Sequence, residues 1–315
     1  MKAIFMGTPD FAVPSLKALV ENYEVLAVVT QIDRPKGRGH VLTPSPVKEF
    51  ALAHNIPVLQ PVKLSKEPEI IEKLKALEPD VIITCAFGQI LPQSVLDIPK
   101  FGTINVHGSL LPKYRGAAPI QWAIINGDEK TGITTMLTDI GLDTGDMLLK
   151  EEIDIPIDMT AGQLHDIMSE LGAKTLIRTL EELEKGTLKP IKQDDSQATY
   201  APKIDKETGH IDWSNTSKRI HDTIRGTTPW PGAWTQLDGQ KVRIWRSEFK
   251  DSPYTADQLS RSKPGTILNI SDKGMWVQTG DDALLIHEIQ VDSGKRMTPL
   301  QYSLGHDFKA GMILG

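Results

Sequence analysis

The amino-acid sequence predicts an α/β fold, in which a doubly wound parallel sheet is followed by a smaller β-rich domain. In the first part of the chain, short apolar runs alternate with amphipathic helical patterns, as in parallel strands that are buried on both faces. Beyond residue 204, short β-rich runs are separated by Gly and Asp turns at the spacing of a small barrel or sandwich. A length of 315 residues also fits two domains.

The elements of both domains follow from these patterns in chain order. A helical spacing of apolar residues predicts a helix over 70–77, and a longer helix over 160–183 begins at Thr160, with Gln163 completing a capping box. Since strands alternate with helices, we expect right-handed crossovers in the first sheet. The predicted strands lie at 3–6, 25–29, 81–86, 103–107 and 132–137 in the first domain and at 241–246, 266–270 and 283–286 in the second.

Charge and tryptophan content change near residue 203. Residues 1–202 contain 20 Lys and Arg against 27 Asp and Glu, whereas residues 203–315 contain 15 against 14. Five of the six tryptophans also lie in the second part. The residues before this change are polar and turn-rich, as in a linker. We therefore predict a first domain over 1–188, a linker over 189–204 and a second domain over 205–315.

Composition excludes several classes of protein. No apolar run approaches the roughly 20 residues of a membrane-spanning helix, so we expect no membrane partner. The single cysteine rules out a disulfide framework, and the first apolar run is too short for a signal peptide, so the cytoplasm is the expected location. The net charge of −6 argues against a non-specific nucleic-acid binder but allows local basic surfaces.

The most informative polar residues surround the predicted strand 103–107. Asn105 and His107 are two positions apart, so their side chains leave the same face. An amide donor beside an imidazole suits a reaction in which negative charge develops on a carbonyl oxygen. Asp143 follows another apolar strand, and we expect it to reach the same strand-end crevice and orient the imidazole. The alternative is a structural histidine and a turn with solvated acids.

Other candidate sites are weaker. Gly7 follows the first strand, but the G-x-G-x-x-G spacing is absent, which argues against a dinucleotide site. Cys85 lies within an apolar strand and is expected to be a buried, inert thiol. No second His or Cys lies near His107 at ligand spacing, so no metal is expected.

A short basic segment, 34–40, follows the second strand. Its cations are Arg34, Lys36 and Arg38, with His40 at its end. Such a segment is either a solvated loop or a surface that follows phosphates. Lys241, Arg243 and Arg246 similarly offer one basic surface in the β-rich domain, although strand cations often only face solvent.

The motif residues resemble those of the folate-dependent formyltransferases, in which Asn-x-His is followed by a Ser-Leu-Leu-Pro loop and a downstream Gly-Leu-Asp-Thr-Gly segment. Within that family the chain is similar to the branch that formylates initiator methionyl-tRNA. The segments that carry this narrower likeness are 5–11, 33–39, 200–204 and 209–213.

The resemblance implies a fold, a site and partners. The first domain is then a Rossmann-like catalytic domain, and the second is an OB-like β-barrel that binds tRNA. The formyl donor implied is 10-formyltetrahydrofolate, with initiator methionyl-tRNA as acceptor, no metal and a monomeric protein. The implied catalytic residues are Asn105, His107 and Asp143; the implied folate contacts are Ser109, Leu110, Leu111, Pro112, Phe87, Gly88, Ile90 and Leu91; and the implied tRNA contacts are Arg34, Lys36, Arg38 and His40.

Three other functions are compatible with parts of the pattern. A formyltransferase acting on a sugar amine or on glycinamide ribonucleotide shares the three catalytic residues but has no evident use for the basic loop and the barrel together. A hydrolase that deformylates the donor uses the same three residues. A nucleic-acid-binding module without catalysis does not explain why Asn, His and Asp fall at predicted strand ends.

Overall fold

The structure, a computed structural model, describes residues 1–36 and 41–315. Its residues pack into two compact units that do not follow chain order. The first unit contains Met1–Gly116, Gly132–Ile153 and His165–Ala201, and the second contains Ala117–Thr131, Asp154–Leu164 and Pro202–Gly315. The chain therefore leaves the first unit twice before it enters the β-rich region.

Strands and helices alternate through much of the chain. Up to residue 154 the elements are β1 (Lys2–Gly7), α1 (Val13–Asn22), β2 (Glu24–Val29), β3 (Arg34–Lys36), β4 (Val41–Thr43), α2 (Pro46–Ala53), β5 (Val58–Leu59), α3 (Pro68–Ala76), β6 (Val81–Cys85), α4 (Gln93–Leu96), β7 (Thr103–His107), β8 (Arg115–Gly116), α5 (Pro119–Ile125), β9 (Lys130–Leu137) and β10 (Met147–Asp154). Beyond it they are α6 (Ala161–Glu184), β11 (Tyr200–Ala201), α7 (Ser217–Gly226), β12 (Ala233–Leu237), β13 (Gln240–Glu248), α8 (Ala256–Leu259), β14 (Ile267–Ser271), β15 (Gly274–Gln278), β16 (Ala283–Val291) and α9 (Pro299–Ser303).

Seven strands form one sheet in the order β10-β9-β7-β6-β1-β2-β5. The pairs from β5 to β7 are all parallel, which confirms that part of the predicted sheet. The pair β7–β9 is antiparallel, with His107 opposite Thr134. The prediction of a parallel sheet is wrong at this edge, because the apolar pattern of residues 132–137 carries no information about strand direction.

The two faces of this sheet pack against different elements. Met6 of β1 lies in a buried apolar cluster with Leu74 of α3. On the opposite face, Gly172 of α6 packs closely against Val106 of β7. A Cβ atom added to Gly172 would lie only 3.0 Å from Cγ1 of Val106. Since side chains alternate along a strand, Asn105 and His107 lie on the face away from α6.

The second unit contains a five-stranded antiparallel sheet in the order β12-β13-β16-β15-β14. Val242 and Ile244 of β13 are fully buried in an apolar cluster that also includes Ile220 and Ile224 of α7. The predicted strands at 241–246, 266–270 and 283–286 correspond to β13, β14 and β16. Across residues 1–36 and 41–315, no helix has both the length and the apolar character needed to span a bilayer.

Candidate active site

Asn105 is held by a neighbouring strand. Thr84 of β6 pairs with Asn105 of β7 in the parallel register, so both side chains leave the same face. The Thr84 hydroxyl donates to Oδ1 of Asn105 at 3.0 Å. This contact occupies the acceptor of the carboxamide, and it leaves the Nδ2 hydrogens to donate to a ligand.

His107 is held between two oxygen atoms. Its Nε2 is 2.9 Å from the carbonyl oxygen of Tyr114, which can only accept, so Nε2 carries a proton. Its Nδ1 is 3.8 Å from Oδ2 of Asp143, which is too far for a direct hydrogen bond. The Asp143 carboxylate is itself fixed by the amide of Gly116 at 2.8 Å. Nδ1 is therefore the ring nitrogen that remains for a substrate atom, beside a carboxylate.

The segment that carries Asp143 reaches His107 by a route that sequence reasoning did not predict. Because β9 runs opposite to β7, its carboxyl end at Leu137 lies beside Ile104 and not beside His107. Asp143 therefore does not reach the site as the continuation of a parallel strand. Residues 138–146 instead form a long loop that returns to its origin, where the Leu137 amide donates to the Asp146 carbonyl at 2.9 Å.

Within this loop, Asp139 closes a tight turn. Its Oδ1 accepts hydrogen bonds from the amide of Gly141 at 3.0 Å and from the hydroxyl of Thr144 at 2.7 Å. Asp143 itself has a φ of 54°, in the left-handed region. Asp is one of the few residues with a side chain that tolerates this conformation. The loop 138–146 therefore presents Asp143 on a turn.

The Ser-Leu-Leu-Pro segment is anchored mainly by its backbone. Thr134 accepts from the Leu111 amide at 3.1 Å and donates to the Ser109 carbonyl at 2.7 Å. The Ser109 hydroxyl donates to the Lys113 carbonyl at 2.6 Å, and Leu111 is fully buried. The peptide bond before Pro112 is cis. The side chains of Ser109 and Leu111 thus support the loop, whereas Leu110 is only half-buried.

The segment 86–91 follows β6 and contains two residues in the left-handed region, Ala86 and Gly88. Phe87 and Leu91 are buried in the cluster that also contains Met6. Ile90, in contrast, is 79% exposed. Of the four predicted folate contacts in this segment, Ile90 therefore has the side chain available to a ligand, while Phe87 and Leu91 fix the backbone.

The predicted basic loop overlaps a short hairpin. β3 and β4 pair in antiparallel fashion, and Arg34, opposite Thr43, is exposed. Lys36 is the last residue of β3, and Arg38 and His40 lie outside the described residues. Immediately before β3, Oδ2 of Asp33 lies 2.7 Å from Nζ of Lys48 in α2. The hydrogen bond from Lys48 lowers the pKa of Asp33 below its usual range.

Family models and known proteins match the chain over most of its length. The family model for formyl transferase matches residues 1–180, and that for the formyl transferase C-terminal domain matches residues 203–307. The methionyl-tRNA formyltransferase of Acetivibrio thermocellus is 54% identical over 316 aligned residues, which cover 100% of both chains. The chain belongs to the methionyl-tRNA formyltransferase family.

Solved structures share the fold of this formyltransferase at lower identity. An N-formyltransferase from Helicobacter canadensis, in complex with folinic acid and dTDP-3-aminofucose, superposes with a TM-score of 0.68 at 20% identity, covering 91% of this chain and 98% of that one. HypX from Aquifex aeolicus, in complex with tetrahydrofolic acid, gives a TM-score of 0.63 at 18% identity, covering 96% of this chain and 46% of that one.

Two residues of this formyltransferase that sequence reasoning missed lie around Asp143. Arg115 is only 2% exposed and contacts Gln193, which in turn contacts the loop 138–146. Gln193 lies in the predicted linker, 189–204. No local pattern marks either residue, because the burial of Arg115 and its need for partners become visible only in the fold.

The remaining reactive groups are the single cysteine and the side chains that can bind metal ions. Cys85 is fully buried, as predicted, and burial raises the pKa of its thiol to about 12. Within the described part of the chain, no three His, Cys, Asp or Glu side chains lie close enough together to hold a metal ion.

Proposed function

We propose that this protein transfers the formyl group of 10-formyltetrahydrofolate to the α-amino group of initiator methionyl-tRNA. The observation that carries the proposal is the position of His107, with Nε2 fixed by the Tyr114 carbonyl and Nδ1 beside Asp143, on the same strand face as the Asn105 amide. The methionyl-tRNA formyltransferases that resemble this chain over its full length support the same acceptor.

In the proposed mechanism the neutral α-amino group attacks the formyl carbon, and the new carbon–nitrogen bond forms as the carbonyl oxygen becomes an oxyanion. Asn105 Nδ2 and protonated Nδ1 of His107 donate to that oxygen. Removal of one such donor typically costs about 10²- to 10³-fold in kcat. Asp143 stabilises the imidazolium and assists transfer of the amine proton to N10 as the bond between the formyl carbon and N10 breaks. No covalent enzyme intermediate is required.

The folate pocket is proposed to lie between the loop 109–112 and the segment 87–91. Apolar side chains that surround a flat ring system fit the usual character of such pockets. Ile90, which is 79% exposed, and the half-buried Leu110 and Pro112 supply side-chain contacts. Ser109, Leu111, Phe87, Gly88 and Leu91 shape the backbone that faces the ligand.

The basic hairpin is proposed to bind the acceptor end of the tRNA. Arg34 and Lys36 belong to β3, and Arg38 and His40 follow them in sequence. Cations that are close together in sequence can follow phosphates. The Asp33–Lys48 pair supports this role by fixing the base of the hairpin.

The second unit is proposed to bind tRNA through one face of its sheet, which we call the aromatic face: Trp234, Lys241, Arg243, Trp245 and Arg296. Lys241, Arg243 and Trp245 alternate with buried residues along β13. Lys241 Nζ lies 3.6 Å from the ring centre of Trp234, and the guanidinium carbon of Arg296 lies 3.5 Å from that of Trp245. Aromatic rings among cations are typical of surfaces that bind nucleic acid.

The proposal also includes the fold of the C-terminal domain, the linker, the oligomeric state and the cellular location. The five-stranded antiparallel sheet supports an OB-like barrel as the C-terminal domain, with residues 189–204 as the linker. Arg246, unlike Lys241 and Arg243, lies beyond a register shift in β13 and opposite Glu288, so it is not assigned to the aromatic face. We also propose that the protein acts as a monomer in the cytoplasm and without a metal ion.

The deciding experiment incubates the protein with methionyl-tRNA and 10-formyltetrahydrofolate and analyses the esterified amino acid after deacylation. We expect N-formylmethionine and tetrahydrofolate in equal amounts. Parallel reactions replace the tRNA with a nucleotide-linked amino sugar or omit the acceptor. Equal rates with the sugar would favour a sugar N-formyltransferase, and equal release of formate without acceptor would favour a hydrolase.

A further inference from the structure

Gln193 holds the segment that carries Asp143 through two backbone contacts. Its Nε2 donates to the carbonyl of Asp143 and to the carbonyl of Gly145, each at 2.8 Å. Both hydrogens of one amide group are therefore used, one on the carbonyl that precedes Thr144 and one on the carbonyl of the residue that follows it. These two hydrogen bonds hold the backbone of the turn and do not involve the Asp143 carboxylate.

The orientation of the Gln193 amide is determined by Arg115. Nε and one terminal nitrogen of Arg115 donate to Oε1 of Gln193 at 3.0 and 2.9 Å. A guanidinium has only donors, so Oε1 must face it and Nε2 must face the loop 138–146. Arg115 also pairs with Asp195 at 2.7 Å, although Asp195 is itself 82% exposed.

Arg115 lies between the two backbone groups that contact the proposed catalytic pair. The carbonyl of Tyr114 accepts from His107, and the amide of Gly116 donates to the Asp143 carboxylate. The backbone of 114–116 thus sets the distance between His107 and Asp143 on one side, while the Arg115 side chain, acting through Gln193, fixes the Asp143 turn on the other.

We infer that Gln193 is the positioning residue for Asp143. Asp143 has a left-handed φ of 54°, and its Oδ2 has to stay beside Nδ1 of His107. The carbonyls of residues 143 and 145 are the groups that a change of this turn would move. The inference rests on the proposed catalytic role of Asp143, and it adds a residue that does not itself touch substrate.

The test compares Gln193→Glu with Asp195→Asn. The carboxylate of the first variant would keep an acceptor for Arg115, but it has no amide hydrogens, and its second oxygen would face two carbonyl oxygens. Asp195→Asn removes the charge of the carboxylate that pairs with Arg115 and leaves the contacts of Gln193 with the loop 138–146 in place. We expect Gln193→Glu to lower kcat by about 10- to 100-fold, since a displacement of about 1 Å costs on that scale. KM for both substrates should change little, and Asp195→Asn should keep near-normal kcat.

A double variant separates a failure of this inference from a failure of the proposed function. If Gln193 acts through Asp143, adding Gln193→Glu to Asp143→Asn should cause little further loss of kcat, because the two effects share one group. Full activity of Asp143→Asn would instead overturn the catalytic role of Asp143. A large effect of Asp143→Asn with normal kcat in Gln193→Glu, or fully additive losses, would overturn the inference about Gln193.

Hydrogen exchange supplies a readout that does not depend on turnover. Amides of residues 138–146 should exchange faster in Gln193→Glu than in the wild type, with β1 and β6 unchanged. Gln193→Met, which keeps the length of the side chain and removes both polar atoms, should give the same local change. Global unfolding of both variants, or unchanged exchange in the loop 138–146, would show that Gln193 has no specific role in positioning Asp143.

Discussion

The hydroxyl of Thr84 and Oδ1 of Asn105 are 3.0 Å apart across neighbouring parallel strands. With Oδ1 accepting the Thr84 proton, Nδ2 is the end of the Asn105 carboxamide that faces the proposed formyl site. Thr84 is 7% exposed, so little water is available to replace its hydroxyl. The orientation of a donor in the site thus depends on a residue of the adjacent strand.

Thr84→Val removes this hydrogen bond while keeping the shape of the side chain. A typical hydrogen bond contributes about 1 kcal/mol, so kcat should fall by roughly 5-fold with KM nearly unchanged. Thr84→Ser, which keeps the hydroxyl, is the matched control and should retain most of the activity. Steady-state kinetics with both substrates provides the measurement. Equal activity of the Val and Ser variants would show that Asn105 is oriented by other contacts.

Asp143→Asn keeps the shape of the side chain and removes the charge beside His107. We expect kcat to fall by about 10²-fold or more while the thermal midpoint stays close to that of the wild type. Asp139→Asn removes one charge from the same loop, retains an oxygen acceptor for Gly141, and should have a small effect. Comparable losses in both variants would mean that kcat depends on the charge of the loop and not on the contact of Asp143 with His107.

Asp33→Ala separates structure from charge at the basic hairpin. On charge alone, loss of a carboxylate next to the cationic segment in sequence should strengthen tRNA binding. If Asp33 instead acts by holding Lys48 at the base of the hairpin, the variant should bind methionyl-tRNA more weakly. We expect weaker binding, with folate affinity unchanged, in filter-binding or fluorescence titrations. Tighter tRNA binding at low salt would contradict the anchoring role.

The aromatic face should show two distinguishable effects on tRNA affinity. Lys241→Gln should reduce the salt dependence of tRNA binding by roughly 0.7 to 0.9 units of log K per log salt. Trp245→Leu should weaken binding by about 5-fold or more without changing that slope, as expected for stacking. Lys273→Gln changes an exposed lysine at the turn between β14 and β15 and is the control. Identical titrations for all three variants and the wild type would exclude this face.

His221 makes the stability of the protein dependent on pH. Nε2 of His221 is 2.9 Å from the carbonyl of Ile157, and Nδ1 is 2.9 Å from the Ser247 hydroxyl. Burial, with the positive charge of Arg225 as a smaller contribution, lowers the pKa of His221 below its ordinary value. The folded state therefore favours the neutral ring, whereas the unfolded chain binds a proton below about pH 6.5.

The contribution of His221 is consequently present above about pH 6.5 and is lost as the pH falls below it. We expect the thermal midpoint of the wild type to drop more steeply between about pH 6.5 and 5 than that of His221→Gln. His54→Gln, at an exposed histidine, should follow the wild type. Parallel curves for all three proteins would show that protonation of His221 does not contribute.

Much of the first domain follows from local sequence patterns. The apolar runs at 3–6, 25–29, 81–86 and 103–107 correspond to β1, β2, β6 and β7, and the predicted cap of α6 forms, with the Thr160 amide bonded to Gln163 at 2.9 Å. Such runs and caps are properties of neighbouring residues, so they can be identified without knowledge of the tertiary fold.

Other features depend on contacts between residues far apart in sequence. The direction of β9 is set by its pairing with β7 and not by its own apolar residues. Gln193 lies 50 residues from Asp143 in a polar stretch that has no local pattern. The hairpin β3–β4 contains Pro35, which argues against a strand in a local interpretation. Asn105, His107 and Asp143 were identifiable as a candidate group, but the route that brings Asp143 to His107 was not.

The second unit is discontinuous, and this affects the order in which the chain becomes buried during synthesis. Ile125 of α5 packs in a cluster with Ile204, and Trp122 donates to the Pro202 carbonyl at 2.8 Å. Those partners leave the ribosome about 80 residues after α5, or roughly 4 to 16 s later at about 5 to 20 residues per second. During that interval the apolar side of α5 is without these partners, so a nascent chain stalled before residue 202 should bind chaperones through α5.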